Sequence, residues 1–175
     1  RERGSLEPLL MNPARRGSLV LGKWGAVASV AMLIATLSCF SFIPAQWLLR
    51  SDTLQAMFQY GWREALAFLV VLLPLCAAMS ALLMAIAIRC RTFKEAQASS
   101  TVALAIVSLL PLVTVFDQRG ESPWHLWVPA LAQSTLMTRV LKGEPLGPAE
   151  LFVPLAVSAL LTLMALAWMS RRLSD

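Results

Sequence analysis

Four long apolar stretches constrain the fold of this chain more than any other feature of its sequence. They cover residues 24–49, 65–88, 98–116 and 151–169. A helix needs about 20 residues to cross the hydrocarbon core of a bilayer, because each residue adds about 1.5 Å. Only 14% of the residues are charged, against about 25% in a typical soluble domain. We therefore predict an all-α, polytopic transmembrane bundle of four spans.

Prolines and small residues predict how these spans bend and pack. Pro74 and Pro111 each remove a backbone hydrogen bond inside a span, which predicts kinks that act either as fixed bends or as points of compliance. Ala77, Ala81 and Ala85 recur every four residues. Small residues at that spacing let helices approach closely in lipid, although alanine is also simply common in such helices.

Two further segments are apolar but are not predicted to span. Residues 51–64 have apolar positions at helical spacing behind Asp52, a good capping residue, and predict a helix lying at the membrane interface. Residues 124–141 carry Pro129 and Arg139, and burying that arginine would cost at least a few kcal/mol. We predict an interfacial or re-entrant helix there, so the fold is four spans plus interfacial or re-entrant helices.

Aromatic residues are expected to mark the edges of the bilayer. Trp24 and Trp47 flank the first span at a helical separation of roughly 35 Å, which suits two interfacial anchors. His125 lies between Trp124 and Trp127. One histidine cannot supply the usual ligand set of a zinc site, and we expect it to serve in interfacial anchoring.

The distribution of charge predicts the orientation. With the N-terminus in the cytoplasm and four spans, the cytoplasmic parts hold ten basic and four acidic residues, a balance of +6. The outer parts hold five basic and six acidic residues, a balance of −1. This is the asymmetry of the positive-inside rule, and it predicts a multi-pass membrane protein with the N-terminal segment of this sequence in the cytoplasm. The net charge of +5 therefore does not indicate a nucleic-acid partner.

Motifs for chemistry are missing from the sequence. It contains no GxxxxGK[ST], HExxH or GxSxG motif, and Cys39, Cys76 and Cys90 form no CxxC pair. We expect no catalytic residues, no cofactor and no metal site. No acidic residue lies in the middle of a span, so the usual mark of a proton or sodium relay is also missing. A transport protein without such a relay would need a partner that supplies the energy.

The first 13 residues read RERGSLEPLLMNP, and Leu6, Leu9 and Leu10 form a short apolar stripe before Pro13. By its residues alone, this segment is an amphipathic surface helix ahead of the first span. It also closely resembles a segment of type-2 ABC exporter permeases, most of all the subgroup described as sodium-efflux permeases. In that family the segment is a coupling helix that docks on the ATPase. The resemblance assigns this role to Glu2, Arg3, Gly4, Leu6, Glu7, Leu9, Leu10 and Pro13.

A second segment, RTFKEAQ at residues 91–97, is similar to a short cytoplasmic turn of the same family. The resemblance adds Phe93, Lys94 and Glu95 to the ATPase-coupling residues. It implies that residues 1–23 form a coupling helix with a linker and that residues 24–175 form the transmembrane domain. The four spans would be the third to sixth of the family, so we expect this chain to be the C-terminal part of a transmembrane domain.

The resemblance implies the permease subunit of an ATP-driven exporter in a bacterial inner membrane. Its partners would be an ABC ATPase subunit that hydrolyses the ATP, a second permease copy in a homo- or heterodimer, and the lipid bilayer. The substrate would be a sodium ion or a small molecule. Two alternatives stay open: a fragment of a secondary transporter, and a membrane assembly subunit that transports nothing. Hydroxyl groups within the spans either line a path or bond to their own helix backbone; they belong to Ser38, Ser80, Ser108, Thr114, Ser158 and Thr162.

Overall fold

The computed structural model describes residues 16–47, 60–116, 123–144 and 147–172, with side chains for 17–45, 60–112, 124–144 and 147–172. Its elements are α1 (Arg16–Trp47), α2 (Trp62–Arg89), α3 (Phe93–Phe116), a 3-10 helix (Pro123–Trp127), α4 (Pro129–Leu141) and α5 (Pro148–Arg172). These described parts contain no strand. Helices α1, α2, α3 and α5 are long and apolar enough to cross a membrane, which confirms the predicted all-α bundle of four spans.

Helices α2, α3 and α5 begin before their apolar stretches, and at each start a glutamate side chain accepts a backbone N–H. Helix α2 begins at Trp62, where the backbone N–H of Gly61 donates to Glu64 Oε2 at 2.8 Å. Gly61 itself is extended. The prediction of an interfacial helix that continues to residue 64 is therefore wrong at this end, because residues 62–64 belong to the span. Residues 51–59 of that predicted helix lie outside the described residues.

Helix α2 is the centre of the bundle and packs against α1, α3, α4 and α5. At the end where α2 begins, a core cluster joins Cys39 of α1 to Tyr60 and Phe68, and Met137 and Val140 of α4 pack against it. The Tyr60 hydroxyl donates to the carbonyl oxygen of Cys39 at 3.1 Å. Burial raises the pKa of Tyr60 to about 12, so the hydroxyl keeps the proton that it donates.

The close contact of α1 with α2 shows a tryptophan in an unexpected role. The indole N–H of Trp24 donates to the carbonyl oxygen of Ala77 at 3.1 Å. Trp24 was expected to anchor the first span at the membrane interface, and the structure instead uses its polar atom to join two helices. Ala81, one turn further along α2, is completely buried, as expected for a small residue at a close helix contact.

The two ends of the bundle differ in charge. We call the end that contains the start of α1, the α2–α3 turn and the last turn of α5 the basic end. Its described residues hold seven basic groups and one acidic group, which is +6. The described residues of the opposite end hold three of each, which is 0. The asymmetry expected from the sequence is thus also a property of the folded bundle.

Candidate coupling surface and re-entrant element

The turn between α2 and α3 is built by its own polar side chains. The backbone N–H of Glu95 donates to Thr92 Oγ1 at 3.2 Å, and the N–H of Arg91 donates to Glu95 Oε2 at 3.0 Å. This arrangement resembles a capping box, and it starts α3 at Phe93. Glu95, predicted as a coupling residue, is therefore also a structural residue of the turn.

The capped turn presents an aromatic side chain outward at the basic end. Phe93 is 80% exposed, and its neighbours Arg91 and Lys94 are exposed as well. Large apolar side chains are exposed along all four spanning helices, and Phe93 differs from them in lying between charged residues at the basic end. The structure therefore brings Phe93 and Lys94 to one accessible turn, whereas the coupling residues predicted within the first 13 positions lie outside the described residues.

Hydroxyl groups within the spans bond to their own helices. Ser80 Oγ donates to the carbonyl oxygen of Cys76 at 2.7 Å, and Thr162 Oγ1 donates to that of Ser158 at 2.8 Å. Ser108 does the same with Ala105 at 2.9 Å. For these three residues the second of the two alternatives, backbone bonding, is the one observed. Their hydroxyl protons are therefore not directed into a polar path.

Helix α4 is a half-length helix that begins in the middle of the bundle. Its 13 residues extend about 20 Å. Its first turn lines a cavity with Leu75 and Leu161, which lie next to the midpoints of α2 and α5. Its last turn contacts the core cluster at the end where α2 begins. Of the two forms predicted for residues 124–141, this packing favours a re-entrant helix, broken at Val128 between the 3-10 helix and α4.

An ion pair that sequence reasoning missed ties α4 to α5. Arg139 Nη1 lies 2.5 Å from Glu150 Oε1. The second carboxylate oxygen of Glu150 accepts the backbone N–H of Gly147 at 3.1 Å and so caps the start of α5. Spacing along the sequence gave no signal for this pair, because its partners are 11 residues apart and belong to two different helices. The carboxylate of Glu150 compensates the charge of Arg139, so α4 can contain an arginine within the membrane protein.

His125 is the second feature that sequence reasoning missed. The side chain is only 2% exposed, so the expectation of an interfacial anchor is wrong. Trp124 contacts it edge-on, with ring centroids 4.3 Å apart. Among the described side chains, both ring nitrogens of His125 are buried without a hydrogen-bond partner. Prolines at positions 123 and 129 flank this segment. They were the signal in the sequence that it turns sharply instead of lying flat along the membrane surface.

No group of three or more histidine, cysteine or acidic side chains in the described ranges is placed to hold a metal ion. The site therefore consists of an exposed turn at the basic end and a re-entrant element that reaches the middle of the bundle.

Comparison with known families identifies the chain. Residues 1–123 match the family described as ABC-2 family transporter protein. The chain belongs to the ABC-2 transporter family. This match covers well over half of the sequence and includes both segments that resemble coupling elements. No curated protein and no solved structure matches the chain.

Membership of the ABC-2 transporter family makes the chain a membrane permease component of an ABC transporter. The four spans agree with a multi-pass membrane protein. An ABC permease works with an ATPase, so the family also implies such a partner.

Proposed function

We propose that this chain is the C-terminal part of the permease subunit of an ATP-driven exporter, with ATP hydrolysis in a separate ATPase subunit. The basic end faces the cytoplasm of a bacterial cell, as the positive-inside rule requires. The match of residues 1–123 to the ABC-2 transporter family supports this proposal most directly. Phe93, exposed on a turn stiffened by Thr92 and Glu95, supplies the described surface on which the ATPase is proposed to dock. A stiff turn transmits displacement to the helix that follows it, here α3.

Phe93 supplies the apolar contact with the ATPase, and Lys94 supplies a positive charge at its edge. Truncating an aromatic side chain that is a hot spot of such a contact costs about 2 kcal/mol or more, which is about a thirtyfold loss of affinity. The experiment is co-purification of the full-length permease with its ATPase. Phe93→Glu should lose the ATPase, and Phe93→Leu should retain most of it.

A matched control places the same charge at the other end of the bundle. Leu141 ends α4 and is also exposed, so Leu141→Glu should leave ATPase association unchanged. Retention of the ATPase by Phe93→Glu would show that this turn is not a docking site. Equal loss in both variants would show that the charge acts on folding rather than on docking.

The first 13 residues supply the second proposed contact. Leu6, Leu9 and Leu10 would fill a groove on the ATPase, by resemblance to the family's coupling helix. Leu9→Asp should abolish association and substrate-stimulated ATP turnover. If both survive this change, the coupling role of the segment is refuted, while the role of the turn at Phe93 remains open to its own test.

A second permease copy is proposed to pack on α3. The most apolar window of α3 has no buried residue, whereas 28% of the corresponding window of α2 is buried. Val102, Ile106 and Leu109 form an exposed stripe at helical spacing. With the native cysteines replaced, a cysteine at Ile106 should form an intermolecular disulfide, and one at the equally apolar Leu163 of α5 should not. The reverse result would move the interface to α5.

The proposed substrate is a sodium ion or a small molecule, on the basis of the sodium-efflux resemblance. The test is ATP turnover of the reconstituted permease–ATPase complex as sodium replaces potassium at constant ionic strength. A saturable rise with sodium supports ion export. Turnover that ignores sodium and rises with an organic solute would assign the chain to small-molecule export.

A further inference from the structure

Helices α1 and α2 run antiparallel, and two contacts fix which of their residues lie side by side. The rings of Phe40 and Trp62 have centroids 5.4 Å apart, and the indole N–H of Trp24 donates to the carbonyl oxygen of Ala77 at 3.1 Å. Between these two contacts the helices cover nearly equal numbers of residues, so they stay in step. Lys23, the neighbour of Trp24, therefore lies beside the middle of α2.

This position places Lys23 inside the membrane-spanning part of the bundle. Helix α2 has 28 residues and is about 42 Å long, against about 30 Å for the hydrocarbon core, so about 6 Å at each end lies outside the core when α2 is centred. Ala77 is about 18 Å from Arg89, the last residue of α2. The backbone of Lys23 is therefore about 12 Å inside the core. Its stem points back toward the start of α1 and recovers at most about 6 Å of that depth.

The side chain of Lys23 is turned away from the rest of the bundle. Val20 and Ala28, one turn before and one turn after Trp24, are buried and mark the side of α1 that packs on its neighbours. Lys23 lies on another side of the helix and is exposed. Among the described side chains it has no ion-pair partner. A charged group at this depth is costly unless it meets an opposite charge, so Lys23 is suited to an anion from outside the described bundle.

A second copy of this chain does not bring that anion to the required depth. The apolar stretches of the four spans contain no aspartate or glutamate, and α4 contains none either. The bilayer is the other neighbour of an outward-facing side chain. Lipids with a negative headgroup are attracted to lysine, and local thinning of the bilayer lets a headgroup approach a cation below the usual membrane surface.

The face of α1 that continues from Lys23 is apolar and open. Val27, Val30 and Ile34 follow Lys23 at helical spacing, and their side chains are 55%, 58% and 58% exposed. They extend this face for about 16 Å away from the basic end. One positive charge at the start of a long apolar strip matches a molecule with an anionic head and a hydrocarbon tail.

We propose that Lys23 and this strip bind an anionic phospholipid from the leaflet at the basic end. The ammonium group of Lys23 donates hydrogen bonds to the phosphate oxygens, and one acyl chain lies along Val27, Val30 and Ile34. A net negative headgroup is preferred because a zwitterionic one contains its own cation, which competes with Lys23 for the phosphate. This lipid site requires neither the ATPase nor the transported substrate of the proposed function.

The test is photolabelling of the full-length permease in lipid nanodiscs. The probe is a trace of phosphatidylglycerol with a diazirine in its acyl chain, and the labelled positions are mapped by mass spectrometry. Residues 27–37 should be labelled about fivefold more strongly in discs of phosphatidylcholine than in discs of phosphatidylglycerol with the same chains. In the second kind of disc the bulk lipid competes with the probe, and one lysine near an anionic lipid contributes about that factor in affinity.

Variants assign the preference to one side chain. Lys23→Gln should remove the fivefold difference between the two kinds of disc, and Lys23→Arg should keep most of it. Arg89→Gln removes a charge from the same end of the bundle and serves as the control, which should keep the difference in full. Each variant is compared only if it elutes as a single species in gel filtration.

Three outcomes would overturn the proposal. A fivefold difference that survives Lys23→Gln would show that this residue does not bind the headgroup. An equal loss in Arg89→Gln would show that the general charge of the basic end, and not Lys23, attracts the lipid. Absence of labelling at residues 27–37 in both kinds of disc would show that another protein segment covers this face of α1.

Discussion

The ion pair between Arg139 and Glu150 allows a sharp test of how the re-entrant helix is held. The two charged atoms are 2.5 Å apart, and the side chains are 24% and 30% exposed. A charge-assisted hydrogen bond contributes about 1.5–3 kcal/mol when shielded, and an exposed ion pair contributes about 0.2–1 kcal/mol. Partial exposure places this pair between the two ranges, and we expect a coupling free energy of about 1 kcal/mol.

A double-mutant cycle isolates this coupling. Glu150→Gln keeps an oxygen that can accept the N–H of Gly147, so it removes the charge while it retains the cap of α5. Arg139→Gln removes the partner, and because Arg139 takes part in a further interaction, its own loss exceeds the coupling. The cycle cancels that excess. The double variant should therefore be about 1 kcal/mol more stable than the sum of the single losses predicts.

The assay is thermal unfolding in detergent micelles, followed by circular dichroism. A change of 1 kcal/mol corresponds to about 2–4 °C in the midpoint for a chain of this size. Lys142→Gln, one turn from Arg139 on the exposed surface, serves as the control and should shift the midpoint by less. If the sum of the two single-variant losses equals the loss in the double variant to within about 0.3 kcal/mol, the pair does not hold α4 to α5.

Three further predictions concern the core and the turn. Tyr60→Phe should lower the free energy of unfolding by about 1 kcal/mol, because the carbonyl of Cys39 loses its hydrogen-bond donor. An unchanged unfolding midpoint would contradict this prediction. Ala81→Leu should cost about 1–3 kcal/mol by overpacking a completely buried position, and Ala105→Leu, on the exposed face of α3, should be nearly neutral in the same melt. Thr92→Ala should lower the free energy of unfolding by about 1 kcal/mol, because it removes the cap of α3. It should also weaken ATPase binding in titrations, and an unchanged affinity for the ATPase would contradict this prediction.

Hydropathy was sufficient to predict the four spans, because the bilayer imposes the length and polarity of each helix independently of its neighbours. The structure extends those spans outward for local reasons. Trp62 precedes the apolar stretch of α2, yet it is helical because Glu64 satisfies the N–H of Gly61. The same reasoning explains the start of α3 at Phe93. A capping pattern was present in TFKE, at residues 92–95, but hydropathy alone does not register it.

The charge asymmetry and the resemblance of the first 13 residues and of RTFKEAQ to ABC permeases were also readable from the sequence, and the ABC-2 family match covers both segments. These features depend on residue type and order along the chain. They do not require knowledge of which faces of the helices meet. The sequence by itself therefore determined the number of spans, the uneven charge and the family.

Tertiary structure decided the roles of Trp24, His125 and Arg139. Trp24 bonds to Ala77, and His125 is buried, although both looked like residues of the membrane interface. Whether a residue faces lipid or a neighbouring helix depends on the rotation and tilt of that helix, and a linear pattern of hydropathy contains neither. Arg139 meets Glu150 only because the start of α5 packs beside the end of α4. Burial and pairing are properties of contacts between distant segments, so they appear only when the bundle is assembled.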